Sequence, residues 1–142
     1  MFEDTIQGLH LYHPADWTAE VERGGTYLVS DPAMIGEAPT SIQSGAMVVL
    51  FASSVAEMNE MIPSLVPDGA ADNPQDVVRF FGQTMFGNPG EGALANPMQA
   101  VGEVGATTLG EYPAGQQAYV GTTKEGVAFG GDVYAVVVGS RW

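Results

Sequence analysis

"QQAYVGTT" (116–123), "KEG" (124–126) and "VAFGGDVYAVVVGSRW" (127–142) are the stretches whose reading decides the fold. The outer two read as strands: 127–142 is rich in valine and aromatic residues and 116–123 carries Tyr119, Val120, Thr122 and Thr123, types that suit a pleated, half-buried surface. The middle one is a turn. Strands joined by so short a connection pair antiparallel, because a parallel pair needs a crossover of a dozen or more residues. Gly130-Gly131 inside the last strand marks an expected β-bulge. Upstream, "MQAVGEVGATTLG" (98–110) reads as a further strand and "EYPAG" (111–115) as the turn that follows it. The last third of the chain is therefore all β.

The middle third is helical. Ser54 and Glu57 have the Ser-x-x-Glu spacing of a capping box at a helix start. Val55, Met58, Ile62 and Leu65 follow at helical intervals, and Pro63 is expected to end or kink this helix. Asn73-Pro74 reads as an N-cap followed by proline at the first helical position, and Asp76 falls in the first turn, where the helix dipole favours it. Val77, Phe80, Phe81, Thr84 and Met85 form one expected apolar face. Gly82 weakens that helix by up to ~1 kcal/mol relative to alanine. "GNPGEGALANP" (87–97) is a loop.

The first third returns to strands. Leu9 and Leu11 alternate with His10 and Tyr12, the period of a half-buried strand. Pro14 cannot sit inside a paired strand, and Asp16 can bond the backbone of a turn. Pro-Ala-Asp-Trp thus reads as a corner that plants Trp17 in the core. Trp17, Ala19 and Val21 then share a face, Arg23-Gly24-Gly25 is a hairpin turn, and "TYLVSDP" (26–32) is the returning strand, stopped at Asp31-Pro32. "AMVVLFASS" (46–54) is nearly all apolar, as strands are when both faces are covered, and is the expected central strand. The chain order of strands, two helices and strands predicts an α+β fold. It is expected to be one mainly antiparallel sheet of about six strands, with helices packed on it, in a single domain over residues 1–142.

Two of these stretches, "LYHPADW" (11–17) and "TYLVSDP" (26–32), resemble the start of a PsbP-like domain, and residues 107–142 also fit. That superfamily includes the extrinsic photosystem II protein PsbP, a yeast import factor that binds the GTPase Ran, and exported bacterial domains. The resemblance implies an α/β/α sandwich, a non-enzymatic binding or assembly role and an extracytoplasmic setting. It also implies one more strand or a helix after Trp142, so the chain is expected to be a fragment. No cofactor residues carry over from the photosynthetic members.

Composition narrows the function classes. Of 142 residues, 45% are hydrophobic and 15% charged, enough apolar material for a core. Seventeen acidic residues face only Arg23, Arg79, Lys124 and Arg141, for a formal net charge of −13. Four scattered cations make no basic stripe, so nucleic acid and anionic lipid are poor partners. Acidity keeps a domain soluble; read as a binding signal, it points to a partner with a basic surface. No stretch approaches the ~20 apolar residues of a membrane span. Without cysteine there is no thiolate chemistry and no cysteine-based metal site.

The chemical candidates are few. His10 and His13 are the only histidines, lie three apart on an expected strand and have no third ligand nearby. Asp68, Asp72 and Asp76 form a loose acidic series without the EF-hand spacing, and each has a local use in a loop or helix cap. The glycine-rich loop over 87–92 lacks a lysine and the strand–loop–helix setting of a phosphate cradle. Met58, Met61 and Met85 fall on helices and read as core. The expected function is a non-enzymatic binding module, with a loop rim or a sheet face as its working surface. The alternative is a small hydrolase or metal-dependent enzyme using His10 or His13. An exposed sheet edge would allow oligomers.

Overall fold

A computed structural model of the chain describes residues 2–4, 9–22, 25–35, 44–61, 72–86 and 96–138. The chain divides into two compact units, Met1–Ser53 and Ser54–Trp142.

In the first unit, β1 (Phe2–Asp4) pairs antiparallel with β2 (Leu9–Leu11), so His10 stands opposite Glu3. The expected corner follows. The Trp17 backbone N–H donates to the Pro14 carbonyl at 3.1 Å, closing a turn before β3 (Thr18–Glu22). Trp17 itself departs from expectation: it is half-buried and stands outside the buried cluster. The ladder explains this. Its last pair is Thr18 with Val29, so Trp17 lies beyond the paired strands and has no cross-strand neighbour.

β4 (Gly25–Val29) lies between β3 and β5 (Met47–Leu50) and is buried at every position. It is thus the central strand, and the apolar run at 46–54 supplies a lateral one, with Val48 and Phe51 exposed. Cross-strand pairing builds the core: Tyr27 opposes Val49 and Val29 opposes Met47, with Met34 and Ile35 packed alongside. β4 stops where proline predicts. An Asp31 carboxylate oxygen accepts the Ala33 N–H at 2.9 Å and caps a 3₁₀ turn at Pro32–Met34.

The second unit opens with α1 (Val55–Met61). The capping box is formed in both directions: Glu57 N–H donates to Ser54 Oγ at 3.2 Å, and Ser54 N–H donates to Glu57 Oε2 at 2.7 Å. Ile62, Pro63 and Leu65, expected at the end of this helix, lie outside the described residues. α2 (Pro74–Phe86) starts as predicted, with Gln75 N–H donating to Asn73 Oδ1 at 3.0 Å. Asp76 pairs with Arg79 one turn later. The buried face of α2 differs from the expected one. Val78 and Gly82 are its buried residues and Phe86 continues their row, whereas Thr84 and Met85 are exposed.

The strands under α2 explain the change. β6 (Gln99–Leu109), β7 (Tyr112–Thr122) and β8 (Ala128–Val136) form an antiparallel sheet with β7 in the middle. A side chain at Gly82 would collide with Tyr119 Oη, and one at Gly115 would collide with the Pro74 carbonyl oxygen. Two glycines, one on each element, let helix and strand approach closely. The Tyr119 ring fills the space that Gly82 leaves and packs on Phe86, ring centroids 5.1 Å apart.

Both hairpins of this sheet exist, with one boundary moved. Leu109 opposes Tyr112, so the first turn is Gly110-Glu111, with Gly110 at φ +60°. Tyr112 to Gly115, expected as turn, belong to β7. Pro113 is tolerated there because β8 pairing begins only at Ala114. The second turn runs from Thr123 to Gly126, closed by Gly126 N–H to Thr123 O at 2.9 Å.

The bulge lies elsewhere than expected. Pairing of β7 with β8 is continuous through Gly130-Gly131, while the β6–β7 register shifts between Val101 and Gly105. Gln117 fills that irregularity. Its buried amide donates to the carbonyls of Val101 at 2.9 Å and Ala118 at 3.1 Å.

The α+β class and the antiparallel pairing therefore stand. The single sheet of about six strands does not: the described strands pair in three separate sheets of two, three and three. Short turns fix which strands are neighbours within a hairpin, but they carry no information on whether distant hairpins join edge to edge.

Candidate functional site: the open face of the second sheet

Residues directly opposite one another in an antiparallel ladder share a face. Gly115, Gln117 and Tyr119 of β7 point toward α2. The alternate residues Tyr112, Ala114, Gln116, Ala118 and Val120 therefore point the other way. Register places Leu109, Thr107, Gly105, Val101 and Gln99 beside them on β6, and Val136, Tyr134, Asp132 and Gly130 beside them on β8.

Five large apolar side chains on this second face are 43–50% exposed: Val101, Leu109, Tyr112, Val120 and Tyr134. They come from all three strands. Val101 and Val120 lie toward one end of the face and Leu109 and Tyr112 toward the other, with Tyr134 between them and Ala114 buried; exposed apolar groups gathered on one face are a candidate interaction surface. A polar group sits among them. Gln116 Nε2 donates to Asp132 Oδ1 at 3.0 Å and to Tyr134 Oη at 2.9 Å. The Gln116 amide thus fixes the Asp132 carboxylate and the Tyr134 ring side by side. Asp132 is the one formally charged side chain among the register-paired residues of the face, and no cation pairs with it among the described residues. Near Val120 the face runs into an open depression of about 560 Å³ that Gln99, Gly130 and Phe129 help to line.

The residues singled out by sequence lie apart from this face in the chain. His10 is on β2, opposite Glu3. His13 follows that strand, and its Nδ1 lies 2.8 Å from the Pro14 carbonyl oxygen, a bond to its own loop. Asp72 is exposed ahead of α2 and Asp76 is engaged by Arg79. Asp68 and the glycine-rich loop 87–92 lie outside the described residues. Among the described residues, no three histidines, aspartates or glutamates come together as a metal site, and no helix is long and apolar enough to cross a membrane.

Among the described residues of the second unit two ionisable groups are perturbed, neither on the open face. The Ser54 backbone N–H and hydroxyl hold the Glu57 carboxyl below its ordinary value. Burial pushes the Tyr119 phenol up. Both act on folding.

Comparison with protein-family models, curated proteins and solved structures returns no match for this chain.

Proposed function

We infer that the chain is a non-enzymatic binding module and that its working surface is the open face of the β6–β7–β8 sheet. One observation carries the reading: four exposed apolar side chains from β6 and β7 flank a fixed Asp132–Gln116–Tyr134 group on the same face. A sheet face with such residues costs solubility, and burial against a partner recovers roughly 25 cal/mol per Å² of apolar area. The PsbP-like resemblance at residues 11–17 and 26–32 supports the same class of role, binding or assembly, and adds an α/β/α sandwich and an extracytoplasmic setting to the proposal. The formal charge of −13 favours a partner with a basic surface over nucleic acid.

The test is comparative capture. Wild-type chain and a Val101→Ser/Val120→Ser variant are used as baits under identical conditions. Partners held by the wild type and lost by the variant support the reading; identical sets from both baits refute it. Turnover of a generic ester, phosphate or peptide that disappears in His10→Ala or His13→Ala overturns the non-enzymatic assignment.

A further inference from the structure

We propose that the open face seats a basic amphipathic helix of a partner protein, with an arginine of that helix on Asp132; this rests on the reading of the face as a binding surface.

Size selects a helix. From Tyr112 to Val120 the face is about 27 Å long, and three strands make it about 15 Å wide, or about 400 Å². That is about half of the roughly 800 Å² per partner that a standard globular interface buries. Two copies laid face to face would therefore be short of area. They would also bring two Asp132 carboxylates together on chains that each carry −13. A helix of about 18 residues spans about 27 Å and is about 10–12 Å across, which matches the face in both directions.

Charge selects the polar residue. Asp132 and Tyr134 are two apart on β8 and share the face, and Gln116 donates to both. A partner cation above them meets a carboxylate and an aromatic ring together. The planar guanidinium suits both, by charge-assisted hydrogen bonding to the acid and by stacking on the ring. Val101 and Val120 on one side, and Leu109 and Tyr112 on the other, supply apolar ground for the helix turns that flank the arginine. A cation buried there without Asp132 would lack a counter-charge, so the acid sets specificity as well as affinity.

The experiment uses the full chain and four labelled peptides of about 18 residues, read by fluorescence anisotropy. The first is a leucine/arginine amphipathic helix. The second replaces its arginines with glutamine, the third scrambles the first, and the fourth interrupts it with proline. Asp132→Asn and Val120→Ser both alter exposed side chains, with Asp132→Ser and Val120→Thr as second variants, and circular dichroism checks each fold. The first peptide is expected to bind best. Asp132→Asn should weaken it about tenfold while leaving the glutamine peptide unchanged. Val120→Ser should weaken both.

Equal affinity for the arginine and glutamine peptides, or indifference to Asp132→Asn, overturns the arginine assignment but leaves the binding face standing if Val120→Ser still weakens binding. Equal binding of the scrambled or proline peptides overturns the helix and points to diffuse attraction or to strand addition at a sheet edge. Absence of binding by any peptide overturns the inference, and the comparative capture then decides the face. Binding that neither variant changes removes the face itself.

Discussion

Replacing Gly82 with alanine sets two effects against each other. Helix propensity alone makes Gly82→Ala stabilising by about 1 kcal/mol. The new methyl carbon would overlap Tyr119 Oη and lie 2.6 Å from its Cζ, well inside any real contact. The phenol must therefore leave its place or α2 must lift from β7. Tyr119 is only 7% exposed and packs on Phe86. Expelling it forfeits about 2 kcal/mol of burial and about 1 kcal/mol of aromatic contact. Subtracting the propensity gain leaves a net loss of about 2 kcal/mol. Urea denaturation followed by circular dichroism should show a midpoint lowered by about 1 M. In a Tyr119→Leu background the ring is gone and the sign should reverse, with Gly82→Ala now stabilising. A Gly82→Ala protein as stable as the wild type or more so refutes the close approach of α2 and β7.

Gln117→Leu removes the donor that fills the β6 irregularity and leaves the Val101 carbonyl without it; a loss of about 1–3 kcal/mol is expected in the same assay, and no loss would mean the bulge stands without its amide. The Glu57 carboxyl is depressed in the folded chain, so its contribution is present above its ordinary value of 4.5 and is lost as pH falls through the folded value. Acid titration of α1 by NMR should show this loss, and Ser54→Ala should flatten it at a cost of about 1 kcal/mol at neutral pH. Tyr119 is shifted the other way: its contribution is complete below its ordinary value of 10.0 and falls as pH rises toward the folded value. Alkaline unfolding should be less steep in Tyr119→Phe; an unchanged profile would place the alkaline transition elsewhere.

Local chemistry was legible wherever one residue type has one structural use. Ser54 with Glu57, Asn73 with Pro74, and Asp31 with Pro32 each start or stop an element where the sequence predicts. Surface features that depend on a distant neighbour were not. The helix face of Val78 and Gly82 is hidden because the bulk at that contact comes from Tyr119 on the strand, so the glycine reads as a weakness instead of a fit. Gly102 at φ +73° and the nearby Gly105 were the available signal for the true bulge, but Gly130-Gly131 is an equally good signal and lies in regular ladder. Central position was misread because an apolar run resembles a buried strand whether it lies in the middle or at the side, and Thr26 disguises β4 although it is fully buried. The candidate face was not legible as residues. Val101, Leu109, Tyr112, Val120 and Tyr134 are scattered along the sequence, and only the register brings them to one face.

A map of backbone amide shifts in the full chain, recorded as the arginine and glutamine peptides are added, locates the binding face. Changes are expected at Val101, Tyr112, Gln116, Val120, Asp132 and Tyr134, with Gln117 and Tyr119 on the helix-covered face little affected. Changes centred on β3–β5 or on His10 and His13, or no localised changes with either peptide, would contradict the assignment of the open face.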